Sequence, residues 1–87
     1  MEGTMFCVWL ENQSNRSKDS QDLQNHLANI VHSFRYYNDF NRCIDFLLNI
    51  SNDTNIIFII EDIIAEKFLP IIHSFQQIHS IYILNRN

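Results

Sequence analysis

The segment Asn55-Ile56-Ile57-Phe58-Ile59-Ile60 decides the fold of this chain. It is apolar on both faces that a strand would present, whereas a strand with one solvated face alternates apolar and polar residues. A turn-forming cluster, residues 51–54, precedes it, and the acidic pair Glu61-Asp62 closes it. We therefore expect residues 55–60 to form the central strand of a sheet that helices cover on both sides.

Three further segments have the length and composition of strands. Residues 5–10 are apolar throughout and are followed by a polar stretch, and residues 78–84 carry a second apolar run near the end of the chain. Residues 34–37, Phe-Arg-Tyr-Tyr, are short and rich in residues that favour extended backbone, which indicates a short edge strand. The sequence thus predicts four strands.

The segments between these strands carry apolar residues at helical spacing. In the first segment, Asp19 or Ser20 is the expected cap, with Asp22 near the positive end of the helix. Its apolar stripe comprises Leu23, Leu27, Ile30, Val31 and Phe34. In the second segment, Asn38 and Asp39 are N-cap candidates. Its apolar positions are Phe40, Ile44, Leu47 and Leu48.

The third segment should form a helix that reaches Ser74 or beyond. Its apolar positions are Ile63, Ile64, Phe68, Ile71, Ile72 and Phe75. Pro70 falls inside it, where the missing N–H should kink the helix or split it into two.

Strict alternation of strands and helices predicts a three-layer α/β fold with a parallel sheet. Right-handed crossovers and a flavodoxin-like strand order, 2-1-3-4, place the first helix on one face and the other two on the opposite face. One face is then under-covered. We therefore expect a single domain over residues 1–87 that is incomplete at its C-terminal end or is completed by association.

A set of motifs along the chain gives it a family likeness. They are Val8-Trp9-Leu10, the spaced stretch from Phe34 through Phe40 to Cys43-Ile44-Asp45-Phe46, the Ile-rich strand, and the ending Leu69 to Leu84 with its Pro-Ile-Ile-His and Ser-Ile-Tyr-Ile pieces. From about residue 5 onward, the chain resembles the receiver-like N-terminal domain of invertebrate multidomain proteins. In those proteins the domain precedes an arginine-type ADP-ribosyltransferase module or tetratricopeptide (kinesin light chain-like) repeats.

The resemblance implies a possible site for phosphotransfer at the carboxyl ends of strands one and three. A receiver site there holds Mg²⁺ on acidic side chains and presents an aspartate for phosphorylation. In this chain the positions supply Glu11, Glu61 and Asp62. The chain departs from the pattern, because Glu61 stands at the acceptor position, Leu84-Asn85 ends strand four where a Ser or Thr is usual, and the fifth strand and last helix are absent. A solvated acidic loop is therefore the favoured interpretation.

Composition and motifs argue against several classes of function. The net charge of −4 at pH 7 removes the phosphate attraction on which nucleic-acid and anionic-membrane binding depend. Gly3 is the only glycine, so no glycine-rich loop for a nucleotide exists, and no apolar stretch or N-terminal signal predicts a membrane span or secretion. Cys7 and Cys43 lack metal-site spacing and predict two reduced core thiols in a cytoplasmic protein, with a disulfide as the alternative. We expect no cofactor.

Histidines and aromatic residues are expected to be structural. The four histidines lack the i, i+4 spacing of a metal pair and should lie at the surface: His26, His32, His73 and His79. A group of four aromatic residues has only two cationic neighbours, so core packing is favoured over base stacking: Phe34, Tyr36, Tyr37 and Phe40. Trp9 should be buried.

No catalytic constellation is complete, so we expect a protein that is not an enzyme. The leading hypothesis is a receiver-like interaction or regulatory module that docks to the rest of a larger protein, to a partner protein or to itself. Its expected contact residues are Ile81, Tyr82 and Ile83, because an apolar edge strand invites association. A Mg²⁺-dependent phosphoacceptor and a gene fragment without independent function are the alternatives.

Overall fold

A computed structural model describes residues 5–11, 18–31 and 33–84, and the side chains of all of these except 18–20. Strands and helices alternate along them. They are β1 (Met5–Leu10), α1 (Lys18–Ala28), β2 (Ser33–Tyr37), α2 (Phe40–Asn49), β3 (Asn55–Glu61), α3 (Asp62–Ile72) and β4 (Ile78–Leu84). Two residues named in the predictions lie outside the described residues: His32, which was expected at the surface, and Asn85, which was expected to follow the fourth strand. No helix in the described ranges is long and apolar enough to cross a membrane.

The four strands form one parallel sheet of order β2-β1-β3-β4, which confirms the predicted topology. Within it, Phe58 of β3 lies opposite Val8 of β1 on one side and Ile81 of β4 on the other. The pairing of β3 with β4 shifts between Ile56 and Ile57, which leaves His79 as an extra residue in β4. This shift decides which β4 side chains face each side of the sheet.

The two faces of the sheet have separate and unequal cores among the described residues. On the face that α2 and α3 cover, the buried cluster has nine members: Val8, Leu10, Cys43, Leu47, Ile56, Phe58, Ile60, Ala65 and Ile72. On the face that α1 covers, the buried cluster is Cys7, Trp9 and Ile59, with Leu27, Val31, Phe34, Tyr36 and Leu84 packed around it. The structure thereby confirms the predicted split of one helix against two, with one face less covered.

The first helix ends earlier than its apolar spacing predicted. The helix stops at Ala28, the amides of Asn29 and Ile30 donate to carbonyls three residues back, and Phe34 belongs to β2. Because the chain must leave the helix to enter the neighbouring strand, Ile30 lies in the connecting turn and is exposed. The predicted caps were also wrong: α1 begins at Lys18, so Asp19 and Ser20 lie inside its first turn.

The second helix begins at the predicted cap. Asp39 has extended backbone, and its Oδ1 accepts a hydrogen bond of 2.9 Å from the amide of Asn41. At the other end of α2, the amide of Gln77 Nε2 donates to the carbonyls of Leu47 and Ile50, at 3.3 Å each. These contacts satisfy carbonyls that have no partner inside the helix.

The third helix runs through Pro70 to Ile72 as one element, so of the two predicted alternatives, a kink or a split, the split into two short helices was wrong. Pro70 lies in the last turn of α3. Its missing N–H removes one backbone hydrogen bond there, and few backbone hydrogen bonds of the helix follow it. The helix stops short of Ser74, whose Oγ instead donates to the Ile71 carbonyl at 2.6 Å.

Candidate functional site

A concave apolar surface lies on the face of the sheet that α1 covers. We call it the α1 groove. It has a volume of about 380 Å³ and is lined by Leu23, Leu27, Ile57, Ile59, Tyr82, Ile83 and Leu84. Its floor is formed by β3 and β4, and its wall is formed by α1.

The groove exists because one helix cannot cover four strands. A helix with its side chains is about 10 Å wide, roughly two strand spacings. Leu27 and Val31, at and beyond the C-terminal end of α1, pack against the buried cluster that includes Trp9 of β1, and α1 lies beside β2. The other two strands are left with only the flank of α1 beside them. On the opposite face, two helices share the same width and the core is closed.

Two groove side chains are large, apolar and open to solvent: Tyr82 on the floor is 59% exposed, and Leu23 on the wall is 40% exposed. Ile83 also borders the groove, but it lies opposite Ile60, which belongs to the core on the other face of the sheet. β4 is also an edge of the sheet, with β2 as the other edge. Exposed apolar side chains grouped in a concavity at a sheet edge are typical of an interaction surface.

The three residues predicted as contacts do not all lie together. Tyr82 and Ile83 line the α1 groove. Ile81 lies opposite Phe58 and packs into the cluster beneath α2 and α3. The extra residue His79 places Tyr82 opposite Ile59, on the α1 face. The sequence analysis missed Leu23 and Leu27 as the wall, although their spacing and the topology together indicate that they border the uncovered strands.

Glu11, the acidic residue after β1, is buried. It is 1% exposed, and its carboxylate accepts hydrogen bonds from Trp9 Nε1 at 3.0 Å and from Tyr36 Oη at 2.8 Å. The expectation of a solvated acidic loop is wrong for this residue, because two ring donors at the end of the sheet draw the carboxylate inward. Glu11 links β1 to β2 instead of facing solvent.

The acidic pair at the junction of β3 and α3 is also largely withdrawn from solvent. Glu61 is buried, and Asp62 is half-buried with its Oδ1 atom shielded and without a hydrogen-bond partner. Across residues 5–11, 21–31 and 33–84, no three His, Cys, Asp or Glu side chains are grouped so that they would hold a metal ion. Glu11, Glu61 and Asp62 therefore do not form a three-ligand Mg²⁺ site in this geometry.

A smaller cavity of about 150 Å³ lies at the carboxyl ends of β1 and β2, beside α2 and α3. It is lined by Leu10, Glu11, Asn38, Phe40, Ile64 and Phe68. The rings of Phe40 and Phe68 stack with their centroids 3.7 Å apart and join α2 to α3 at its edge. Most of the lining is hydrocarbon, so the cavity offers few groups that would orient a polar ligand.

Both cysteines are free and buried, as predicted, and they lie in different cores. Burial raises the pKa of the Cys7 thiol to about 11 and that of the Cys43 thiol to about 12. Both groups remain protonated at neutral pH and are poor nucleophiles.

The histidines and aromatic residues lie where the sequence analysis placed them, as far as they are described. His26, His73 and His79 are exposed. Trp9 is fully buried. The four grouped aromatic residues pack around the two cores, Phe34 and Tyr36 on the α1 face and Tyr37 and Phe40 on the other.

The fold and the groove together define a small parallel α/β domain with one closed face and one partly open face. No family model matches the chain, and neither the curated proteins nor the solved structures contain a match to it.

Proposed function

We propose that this chain is a non-catalytic, receiver-like interaction module that docks another polypeptide in the α1 groove. The observation that carries the proposal is the exposure of large apolar side chains in one concavity, with Tyr82 on its floor and Leu23 on its wall. The likeness of Val8-Trp9-Leu10 and of Leu69 to Leu84 to receiver-like domains of multidomain proteins supports the same role.

The apolar area is sufficient to contribute to binding. A tyrosine side chain buries about 150–250 Å² when it is fully covered, so covering the exposed part of Tyr82 removes roughly 100 Å² from water. At about 25 cal/mol per Å², that contact alone contributes about 2–3 kcal/mol. Association itself costs at least about 4 kcal/mol, so a stable complex requires that several groove residues are covered together.

We place the module in the cytoplasm. Cys7 packs with Trp9 and Ile59 on the α1 face, and Cys43 of α2 packs into the core on the other face. Two free, buried thiols with raised pKa values suit a reducing compartment.

The test compares two leucines that are exposed on helices of opposite faces. Leu23→Gln changes the groove wall, and Leu48→Gln changes an exposed position of α2 outside it. We expect cross-linked complexes of the tagged chain, in cells that express it, to persist in the Leu48→Gln variant and to disappear in the Leu23→Gln variant. Purified candidates should then bind directly with the same dependence. Loss of binding in neither variant, or equally in both, contradicts the proposal.

The phosphoacceptor and fragment hypotheses lead to different expectations for the same preparation. A phosphoacceptor gains the mass of one phosphoryl group when it is incubated with acetyl phosphate and Mg²⁺, through Asp62 or a neighbouring acid. A fragment without independent function fails to show cooperative unfolding. We expect cooperative unfolding and no added mass, because Glu11 is engaged with Trp9 and Tyr36.

A further inference from the structure

We propose that His73 and His79 together bind one divalent transition-metal ion of the zinc type at the edge strand β4. The proposed site lies outside the α1 groove and does not depend on the docking function. The fold builds it, because one histidine ends α3, the other belongs to β4, and both line the same cavity.

This cavity has a volume of about 280 Å³ and lies between the end of α3 and the beginning of β4. We call it the β4 edge pocket. The rest of its lining is Ile78, Ser80 and Ile81. Both histidines are exposed, so their rings can change rotamer without disturbing either core. The cavity is large enough to hold an ion together with bound water.

Backbone hydrogen bonds brace the turn that carries the two histidines. The amide of His73 donates to the Leu69 carbonyl at 2.9 Å, which ties this residue to the end of α3. In the turn that follows, the amide of Phe75 donates to the Ile72 carbonyl at 3.1 Å, and the amide of Ile78 donates to the Phe75 carbonyl at 3.3 Å. Ligands on a braced turn lose less conformational freedom on binding than ligands on a flexible loop, which favours binding of an ion.

The register shift in β4 makes the second histidine available as a ligand. Ile78 and Ser80 lie opposite consecutive residues of β3, so the residue between them, His79, is extra. Its neighbours Ile78 and Ile81 pack toward the cluster beneath α2 and α3, whereas His79 is exposed. An extra residue at a sheet edge re-aims a side chain in this way, and such bulges often lie at functional sites.

The donor groups in the β4 edge pocket select the class of ion. Two imidazole nitrogens suit zinc and its neighbours among the transition metals. No described carboxylate lines the pocket, so it is a poor site for Mg²⁺ and Ca²⁺, which require oxygen ligands. The thiols of Cys7 and Cys43 do not compete for the ion, because both are buried and protonated.

The surroundings of the pocket favour a cation. His73 is the C-cap of α3, and the C-terminal end of a helix carries partial negative charge. The net charge of −4 at pH 7 also draws cations toward the chain. Two imidazoles occupy two of the four tetrahedral positions that zinc prefers, and water completes the set. Since no three described His, Cys, Asp or Glu side chains are grouped as ligands, binding should be reversible and weaker than at a closed structural site.

The experiment titrates Zn²⁺ into the full chain, prepared without a histidine tag. Calorimetry should show binding of zinc, and in NMR spectra the ring signals of His73 and His79 should shift together while those of His26 do not. An excess of Mg²⁺ should not displace the zinc, because imidazole is a poor ligand for Mg²⁺.

Three exposed histidines supply the variants and their control. His73→Gln and His79→Gln each remove one ligand, and His26→Gln removes a histidine of α1 outside the pocket. Loss of a group that only supports a ligand already costs about tenfold in metal affinity, so loss of either ligand should weaken zinc binding at least about tenfold. His26→Gln should leave the affinity unchanged. Circular dichroism of each variant establishes that its fold is intact.

Contrary results overturn the inference. Absence of zinc binding does so, and so does full affinity in either His73→Gln or His79→Gln, because the ion is then held without the pair. Equal weakening in all three variants would mean that zinc binds to surface histidines in general. If a substitution in the turn unfolds the chain, the NMR titration of the unchanged chain still decides, since ring signals of His73 and His79 that do not move with zinc exclude the site.

Discussion

The buried carboxylate of Glu11 links β1 to β2 at the carboxyl end of the sheet. It joins Trp9, two residues earlier on the same strand face, to Tyr36 on the neighbouring strand. The sequence shows only an acid after an apolar run. Its burial depends on Tyr36, which lies 25 residues away in the chain and reaches Glu11 only after β1 and β2 have paired.

We expect Glu11→Leu to destabilise the chain by about 2–4 kcal/mol, because it leaves the indole N–H and the phenol O–H buried without an acceptor. Tyr36→Phe removes one donor and its cost should be about 1 kcal/mol. Urea unfolding followed by circular dichroism measures both variants. A Glu11→Leu variant as stable as the Tyr36→Phe variant would show that the carboxylate is not needed as an acceptor.

The buried thiol of Cys43 should make stability depend on alkaline pH. Its pKa is raised by burial from 9.0 to about 12 in the folded chain, so the unfolded chain releases this proton first as the pH rises. Stability is then fully present below pH 9 and falls above it, by at most about 1.4 kcal/mol per pH unit for this group. Cys7 and Tyr37, whose pKa values burial also raises, act in the same direction.

The Cys43→Ala variant tests this dependence. Its stability at pH 7 should be lower because of the small cavity, but its loss of stability between pH 9 and pH 11 should be less steep than that of the unchanged chain. Urea unfolding at a series of pH values gives both slopes. Parallel slopes would mean that Cys43 does not titrate differently in the folded and unfolded states.

At the scale of elements, hydrophobic periodicity predicted which segments form strands and which form helices. It did not predict where some of these elements end. β3 was predicted from its continuous apolar run because helices cover both its faces. The end of α1 was missed because Phe34 fits the helical stripe and equally fits a strand, and only pairing with β1 decides between them. The extra residue His79 was likewise invisible, since it is defined by the pairing of β4 with β3.

The C-terminal end of α2 depends on a side chain from the turn before β4. Gln77 Nε2 donates to the carbonyls of Leu47 and Ile50 from a buried position. Gln77→Leu keeps a similar volume and removes both bonds, so we expect a loss of about 1–3 kcal/mol in unfolding free energy. Gln76→Leu, at the exposed neighbouring position, is the control and should change stability by less than about 0.5 kcal/mol. Equal effects of the two substitutions in urea unfolding would contradict this role.

At the scale of the whole molecule, the open face followed from topology, but the residues that line it did not. Four parallel strands joined in the order 2-1-3-4 require that one helix lies on one face and two on the other. The position of Tyr82 in the groove depends on the shifted register of β4, and Leu23 forms the wall because α1 packs toward β2. Neither can be read from hydrophobic periodicity.

The unequal cores should make the two faces open at different rates. On the α1 side the described buried cluster has three members, and on the other side it has nine. Opening α1 therefore exposes less apolar surface and costs less free energy than opening α2. In native-state hydrogen exchange we expect amides of residues 22–28 to exchange at least about tenfold faster than those of residues 43–49. Equal protection of α1 and α2 from exchange would mean that the two helices open together, as one unit.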